Sequence, residues 1–197
     1  MIMRLLNYLL AIRAKCRVRK NATLKGGNLI IGPKANVMLA DGARKEQVTI
    51  GANCWLYGKI AVQGKGCVLL HDHAQIGENS YLLCANHIEI CAYTAVAPNV
   101  TICDNNNHPV NPEQRKAMRI MPPGHDSKMW KHSASAPIII GENCWIGTNV
   151  RICKSVTIGE NSIVAANSVV TKSIPSNCIA AGNPARVVKT EIDKLDY

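Results

Sequence analysis

His108 and Pro109 stand near the head of a stretch, 103–137, in which an otherwise regular chain loses its rhythm. Imidazole accepts and returns a proton near neutral pH, so a histidine held out on a loop is a candidate general base. Pro109 restricts the backbone of His108 to an extended shape, which presents the ring. Three consecutive asparagines, Asn105, Asn106 and Asn107, bring tight-turn chemistry just before it and argue for an ordered tip. The later part, 121–136, is richer in Gly, Ser and Lys and reads as mobile. His71 and His73 are a second candidate. Two apart on a strand, they point the same way, a geometry that suits zinc, although no third ligand stands out.

Elements that hold these rings are written in the repeat around them. From Ile140 the chain reads in sixes, with Ile140, Ile146, Ile152, Ile158, Val164 and Val170 at fixed phase. Six residues advance about 240° around an α-helix and would scatter these aliphatics, whereas six is a multiple of the two-residue period of a strand. The fourth position is Asn143, Asn149, Ser155, Asn161 and Asn167, and asparagine is the non-glycine residue that best tolerates a left-handed backbone. The spacing therefore predicts short strands with a bend every six residues, three to a triangular coil, each coil burying its neighbour's face. An earlier, less perfect frame runs through Ile50, Leu56, Val62 and Val68, then Leu70 to Ile88, then Ile90 to Ile102. The two-residue steps from Val68 to Leu70 and from Ile88 to Ile90 shift the phase without turning a strand over.

Composition agrees with a thin column. Aromatic residues are 4% of the 197, with no Phe, and the length suits one domain. None of the nine cysteines forms a Cys-x-x-Cys pair, and several, such as Cys54 and Cys144, fall at inward repeat positions, so all nine read as structural residues of a reducing, cytoplasmic protein. The formal charge of +10 fits a solvated basic surface or an acidic ligand. Nucleic acid is not expected, because no basic run is interleaved with stacking aromatics. Residues 1–20 mix leucines with six cations and are too short in apolar run to span a bilayer. They read either as a helix over the open end of the column or as a basic amphipathic helix in peripheral contact with the inner membrane face. The expected organisation is an N-terminal helix and cap at 1–27, coils at 28–102, an inserted active-site loop at 103–137, coils at 138–175 and a C-terminal extension at 176–197.

Four stretches resemble one family: Val96-Ala-Pro-Asn-Val-Thr; His108-Pro-Val-x-x-Glu-x-Arg115; Ile140 to Gly147; and Val170-Thr-Lys-x-Ile-Pro175 through Ala181-Gly-Asn-Pro-Ala-Arg-Val. Together they span about half the chain and are similar to the hexapeptide-repeat acyltransferases, in particular the maltose and galactoside O-acetyltransferases and relatives acting on surface polysaccharides. Residues before about 48 match no pattern of that family. The resemblance implies an all-β fold, a left-handed parallel β-helix of hexapeptide repeats with a long loop excursion and short terminal helices. The hand comes from the likeness alone, since crossovers are normally right-handed.

The same resemblance implies roles. His108 falls on the catalytic base, Glu113 is the motif match for an acid that orients the ring, and Asp104 lies nearby without a motif. Arg115 completes the motif and is assigned with Asn86 to the acceptor sugar. A groove for acetyl-CoA between neighbouring subunits would involve Thr148, Ala166, Thr171 and Lys172, with Arg186 and Lys189 near the nucleotide end. Trp145 would lie beside the acetyl or pantetheine arm, or cover a subunit interface. A homotrimer follows, since the site forms between columns. The implied reaction is acetyl transfer from acetyl-CoA to a hydroxyl of a sugar or surface-polysaccharide precursor, with no metal. Its rivals are an N-acetyltransferase on an amino-sugar nucleotide, a zinc prism like the γ-type carbonic anhydrases, and a non-catalytic scaffold for anionic glycans.

Overall fold

The computed structural model describes residues 2–195, with side chains from Tyr8 onward; Met1, Asp196 and Tyr197 lie outside the described residues, as do the side chains of Arg4, Leu5 and Leu6. The chain winds into a three-sided parallel β-helix whose faces hold six, eight and six strands. Above the insert, a first-face strand Ile138–Ile140 leads to Trp145–Ile146 on the second face and Arg151–Cys153 on the third. Ile140 then pairs with Ile158, Ile146 with Val164 and Ile152 with Val170, each three hexads on. Just below the insert the first-face coils are longer by two residues, as Thr49 pairs with Leu69 and Leu69 with Glu89, and the lowest coils are longer still. The extra pair is absorbed within a strand: Val68 and Leu70 both face inward, as do Ile88 and Ile90.

The corners carry the predicted chemistry. Asn143, Asn149, Ser155, Asn161 and Asn167 all have φ between 54° and 67°. Their side chains also bond along the column, Asn143 donating to Asn161 and Asn149 to Asn167, each at 3.0 Å. Each such donation satisfies an amide at an edge where no strand pairing reaches it. Glycine at the second hexad position has a steric reason. A Cβ on Gly147 would lie 2.6 Å from the Ala166 nitrogen of the next coil, closer than real contacts allow.

Inside the column the hexad aliphatics form one continuous core, with Ile50, Leu56, Ile76, Ile102, Ile140 and Ile146 fully buried. All nine cysteines are free, and Cys54, Cys84, Cys103, Cys144 and Cys178 are buried within or beside that core.

The column is longer at both ends than the repeat implied. Thr23–Leu24 already pairs with Val48–Ile50, so coiling begins before residue 28. Ile179 pairs in parallel with Ile163, so the second face continues beyond residue 175 before the chain reverses into an antiparallel strand, Ala185–Lys189. Strands of two residues leave too little sequence to be read. Helix α1 (Ile2–Asn21) covers the open end: Ala14 and Val18 are buried against the first coil and the Asn21 amide donates to the Val37 carbonyl at 2.7 Å. Tyr8, Leu9 and Ile12 face solvent. No helix among the described residues is long and apolar enough to cross a membrane.

The insert leaves the third face after Thr101–Cys103 and returns as Ile138–Ile140. It is not purely loop. Helix α2 (Pro112–Arg119) has proline at its start and is capped by the Asn111 side chain, which accepts from the Gln114 N–H at 3.1 Å. The part expected to be mobile is instead strapped to the column. The Trp130 N–H donates to the Gln63 side chain at 2.9 Å, and Lys131 pairs with Asp41 at 3.3 Å. At the root, Asn105 and Ser135 form an antiparallel bridge, and the Ala136 N–H donates to the Asp104 carbonyl at 2.9 Å.

Candidate active site

His108 sits half-buried where this arm leaves the column, on the edge between the third and first faces. Two turns set its position. Asn107 has a left-handed backbone, φ 63°, and the His108 N–H closes a tight turn onto the Asn106 carbonyl at 2.7 Å. The Trp130 indole N–H donates to Asn107 Oδ1 at 2.6 Å. An indole nitrogen can only donate, so the amide oxygen must face Trp130 and the amide nitrogen must face the histidine. Asn107 Nδ2 lies 3.5 Å from His108 Nε2. The other ring nitrogen, Nδ1, is buried with no hydrogen-bond partner in the chain. A buried polar atom without a partner is costly, so folding stability does not account for this placement of the ring.

The ring opens on a cavity of about 450 Å³ lined by Asn105, Asn106, Arg115, Arg151, Cys153 and Lys154 among others. Arg115 is placed there by α2, and its guanidinium donates to the Val110 carbonyl. Arg151 and Lys154 come from the coil above the insert, where Arg151–Cys153 pairs with Thr101–Cys103. Sequence reasoning missed both, along with Asn107 and Trp130. The outward phase of Arg151 was readable from the hexad, but its neighbour across the insert was not.

Neither candidate acid reaches the ring. Asp104 is fully buried and spends its carboxylate elsewhere: Oδ1 accepts from the Ala85 N–H at 2.8 Å and the Asn105 amide at 3.0 Å, and Oδ2 from the Asn86 N–H at 2.8 Å. Its role is to root the arm to the corner below. Glu113 lies exposed in the first turn of α2 and makes no hydrogen bond to His108. Asn86 is brought to the same edge as His108, tied to the arm's root through Asp104.

The residues assigned to the cofactor groove divide between edges of the column. Thr148 and Ala166 stack at the corner between the second and third faces, where the Asn167 N–H donates to the Thr148 carbonyl at 2.9 Å. Thr171 and Lys172 follow Val169–Val170 and so lie at the edge between the third and first faces, the edge that carries His108. Arg186 and Lys189 are exposed on the terminal antiparallel strand. Trp145 is 58% exposed on the second face and, with Trp55, walls a shallow groove of about 230 Å³. One chain therefore does not gather these residues around one ligand.

The two histidines considered for zinc do not converge. Both lie in the turn after Cys67–Leu70 rather than on a strand. His73 takes a left-handed backbone, φ 63°, and stacks on Tyr93 with ring centroids 4.9 Å apart. His71 Nε2 instead bonds Glu89 Oε1 at 2.7 Å, and His87 Nε2 lies 3.3 Å from the other carboxylate oxygen. Burial opposes the charge on Glu89, but those two hydrogen bonds outweigh it and hold the carboxyl below its ordinary pKa.

The cysteines offer no activated nucleophile among the buried set. Burial pushes the thiols of Cys54, Cys103 and Cys144 above their ordinary value, and burial with the nearby Asp104 charge pushes Cys84 higher still. A thiol so raised is protonated at neutral pH and attacks poorly.

Comparison with known proteins gives this architecture a lineage. Residues 137–172 match the family described as bacterial transferase hexapeptide (six repeats). The chain is 35% identical over 148 residues to the galactoside O-acetyltransferase of Escherichia coli (strain K12), an alignment covering 75% of this chain and 66% of that protein, just under two thirds of it. A solved galactoside acetyltransferase in complex with coenzyme A superposes with a TM-score of 0.57 at 27% identity, over 95% of this chain and 84% of that one. AntD, an N-acyltransferase from Bacillus cereus solved in complex with dTDP and 3-hydroxybutyryl-CoA, gives a TM-score of 0.65 at 18% identity, over 87% of this chain and 85% of that one; at that identity the likeness speaks for the fold alone. The six-residue rhythm and the residues shared with a sugar O-acetyltransferase over most of the chain point the same way: the chain carries the bacterial transferase hexapeptide repeat and is similar to the hexapeptide-repeat acyltransferases.

Proposed function

We propose that the protein moves an acetyl group from acetyl-CoA to a hydroxyl of a carbohydrate acceptor, with His108 as general base. The observation that carries this reading is the buried, unpartnered imidazole nitrogen on an arm pinned against the column, beside a cavity large enough for a sugar. Transfer is direct. The imidazole takes the hydroxyl proton as the oxygen attacks the thioester carbonyl, backbone N–H groups along the groove stabilise the oxyanion, and the intermediate collapses to ester and CoA thiolate. The imidazolium then returns its proton to the departing sulfur. Positioned proton transfer of this kind contributes about 10²–10⁴-fold to rate. The raised thiol of Cys103, which lines the same cavity, disfavours an acyl intermediate on that cysteine.

The active assembly is a homotrimer. Thr148 and Ala166 lie on one edge and His108, Thr171 and Lys172 on another, so a groove using both sets needs the edges of two copies side by side. Sedimentation equilibrium is expected to return three times the mass of one chain; a monomer that retains full activity would rule the shared groove out.

Product chemistry tests the reaction. Incubation with acetyl-CoA and a carbohydrate panel is expected to release CoA and leave an acetyl group that mild base removes. An acetyl group that resists mild base is an amide and assigns the protein to the N-acetyltransferases instead.

A further inference from the structure

We infer that the carbohydrate acceptor is anionic, carrying a carboxylate or phosphate that Arg115, Arg151 and Lys154 hold in the His108 cavity; this rests on the acetyltransferase reading above. The three cations line one space of about 450 Å³ with the imidazole, and no carboxylate lines it with them. None of the three takes part in an ion pair among the described residues, whereas Lys131, Lys194 and the exposed histidine His132 all do. Of the two acids that flank His108 in sequence, Asp104 is fully buried with its oxygens committed to three N–H donors, and Glu113 is exposed on α2 outside the cavity lining.

Three like charges around one cleft repel one another, an arrangement relieved when an anion enters. They also arrive from two separate segments, Arg115 on the arm and Arg151 and Lys154 on the coil above, so the cluster is assembled by the fold rather than by a basic run of sequence. Arginine suits a planar carboxylate or a phosphate through paired donors, and a lysine adds a mobile third. The phosphates of CoA are the competing occupant. Of the cations assigned to the cofactor, Arg186 and Lys189 lie on the terminal strand toward the C-terminal end, whereas Lys172 stands on the His108 edge one coil above Lys154. The hydroxyl that gives its proton to His108 and the thioester it attacks must both lie at the imidazole, and the pantetheine arm holds the CoA phosphates well away from that thioester, so an anion bound in this cavity belongs to the acceptor.

The test compares a neutral oligosaccharide, a uronate-bearing oligosaccharide and a sugar phosphate, measured two ways: CoA release, and direct binding by calorimetry without acetyl-CoA. The wild-type trimer is expected to favour at least one anionic compound by about tenfold or more in kcat/KM and in binding, and which one separates carboxylate from phosphate. In Arg151→Gln with Lys154→Gln that preference is expected to fall roughly 10- to 100-fold, with the KM for acetyl-CoA within about twofold of wild type. Equal binding and turnover of neutral and anionic compounds overturns the proposal. So does a double variant that weakens acetyl-CoA while keeping the acceptor preference, since the cations then serve the cofactor. Anion binding that depends on these residues without any CoA release leaves the anion site standing and removes the transferase reading.

Discussion

A His108→Ala variant is expected to lose acetyl transfer by about 10²–10⁴-fold while binding CoA almost as wild type does. The ring's backbone is set by the Asn106 turn and its amide neighbour by Trp130, so the side chain can be removed without disturbing the arm's hydrogen bonds. Truncation even relieves a buried nitrogen that has no partner in the single chain. Folding stability is therefore expected to hold or rise slightly, which separates a chemical defect from an unfolded one. Initial rates of CoA release with a saturating acceptor, beside a calorimetric titration of CoA, give both numbers. A variant retaining more than about a tenth of the wild-type rate takes the base role away from His108, because no positioned acid–base group contributes so little.

Asp104→Ala is the change expected to cost most in stability, about 3–5 kcal/mol. It strips the acceptor from three donors, the N–H groups of Ala85 and Asn86 and the Asn105 amide, at a site without solvent exposure. Hydrogen bonds to a charged group contribute roughly 1.5–3 kcal/mol each, and partial hydration of the vacated space returns some of that. For a chain of this size the loss corresponds to a fall of roughly 10 °C in Tm. Activity should fall with it, since the arm bearing His108 loses its root at the corner beside Asn86. Asp104→Asn keeps one acceptor oxygen and should fall between. A thermal midpoint unmoved in Asp104→Ala would mean that the backbone bridge between Asn105 and Ser135 holds the arm unaided.

What the sequence disclosed and what it withheld follows the range of the interactions. The corners at Asn143, Asn149 and Asn161 are local: left-handed backbone selects asparagine within its own hexad, so period and residue type agree. The inward aliphatics were legible for the same reason. His73 escaped because it occupies a left-handed corner where asparagine stands one coil below, at Asn53, so it reads as a strand residue. Thr23–Leu24 and Ile179–Gly182 were missed because two to four residues carry no period of their own and join a face only by pairing with a strand far along the chain. The site suffered most from this. His108, Arg115 and the edge with Lys172 were visible through motif, but Arg151 and Lys154 reach the cavity, and Trp130 the Asn107 amide, across coil stacking and arm docking. Glu113 shows the converse: a motif position fixes the residue type without placing it against the ring.

The strands on either side of the arm pair as though nothing had been inserted, Ile90 beside Ile140 and Ile102 beside Ile152. The scaffold is thus indifferent to what hangs from that junction. Lengthening a loop whose ends are already clamped adds little closure entropy, about 0.6 kcal/mol for each doubling. New acceptor preferences can accordingly be sampled by rewriting the arm beyond its root at Asp104, Asn105 and Ser135 together with the two outward residues above it, while the hydrophobic spine keeps folding as before. Swapping this appendage between related columns should transplant selectivity and leave thermal tolerance with the recipient.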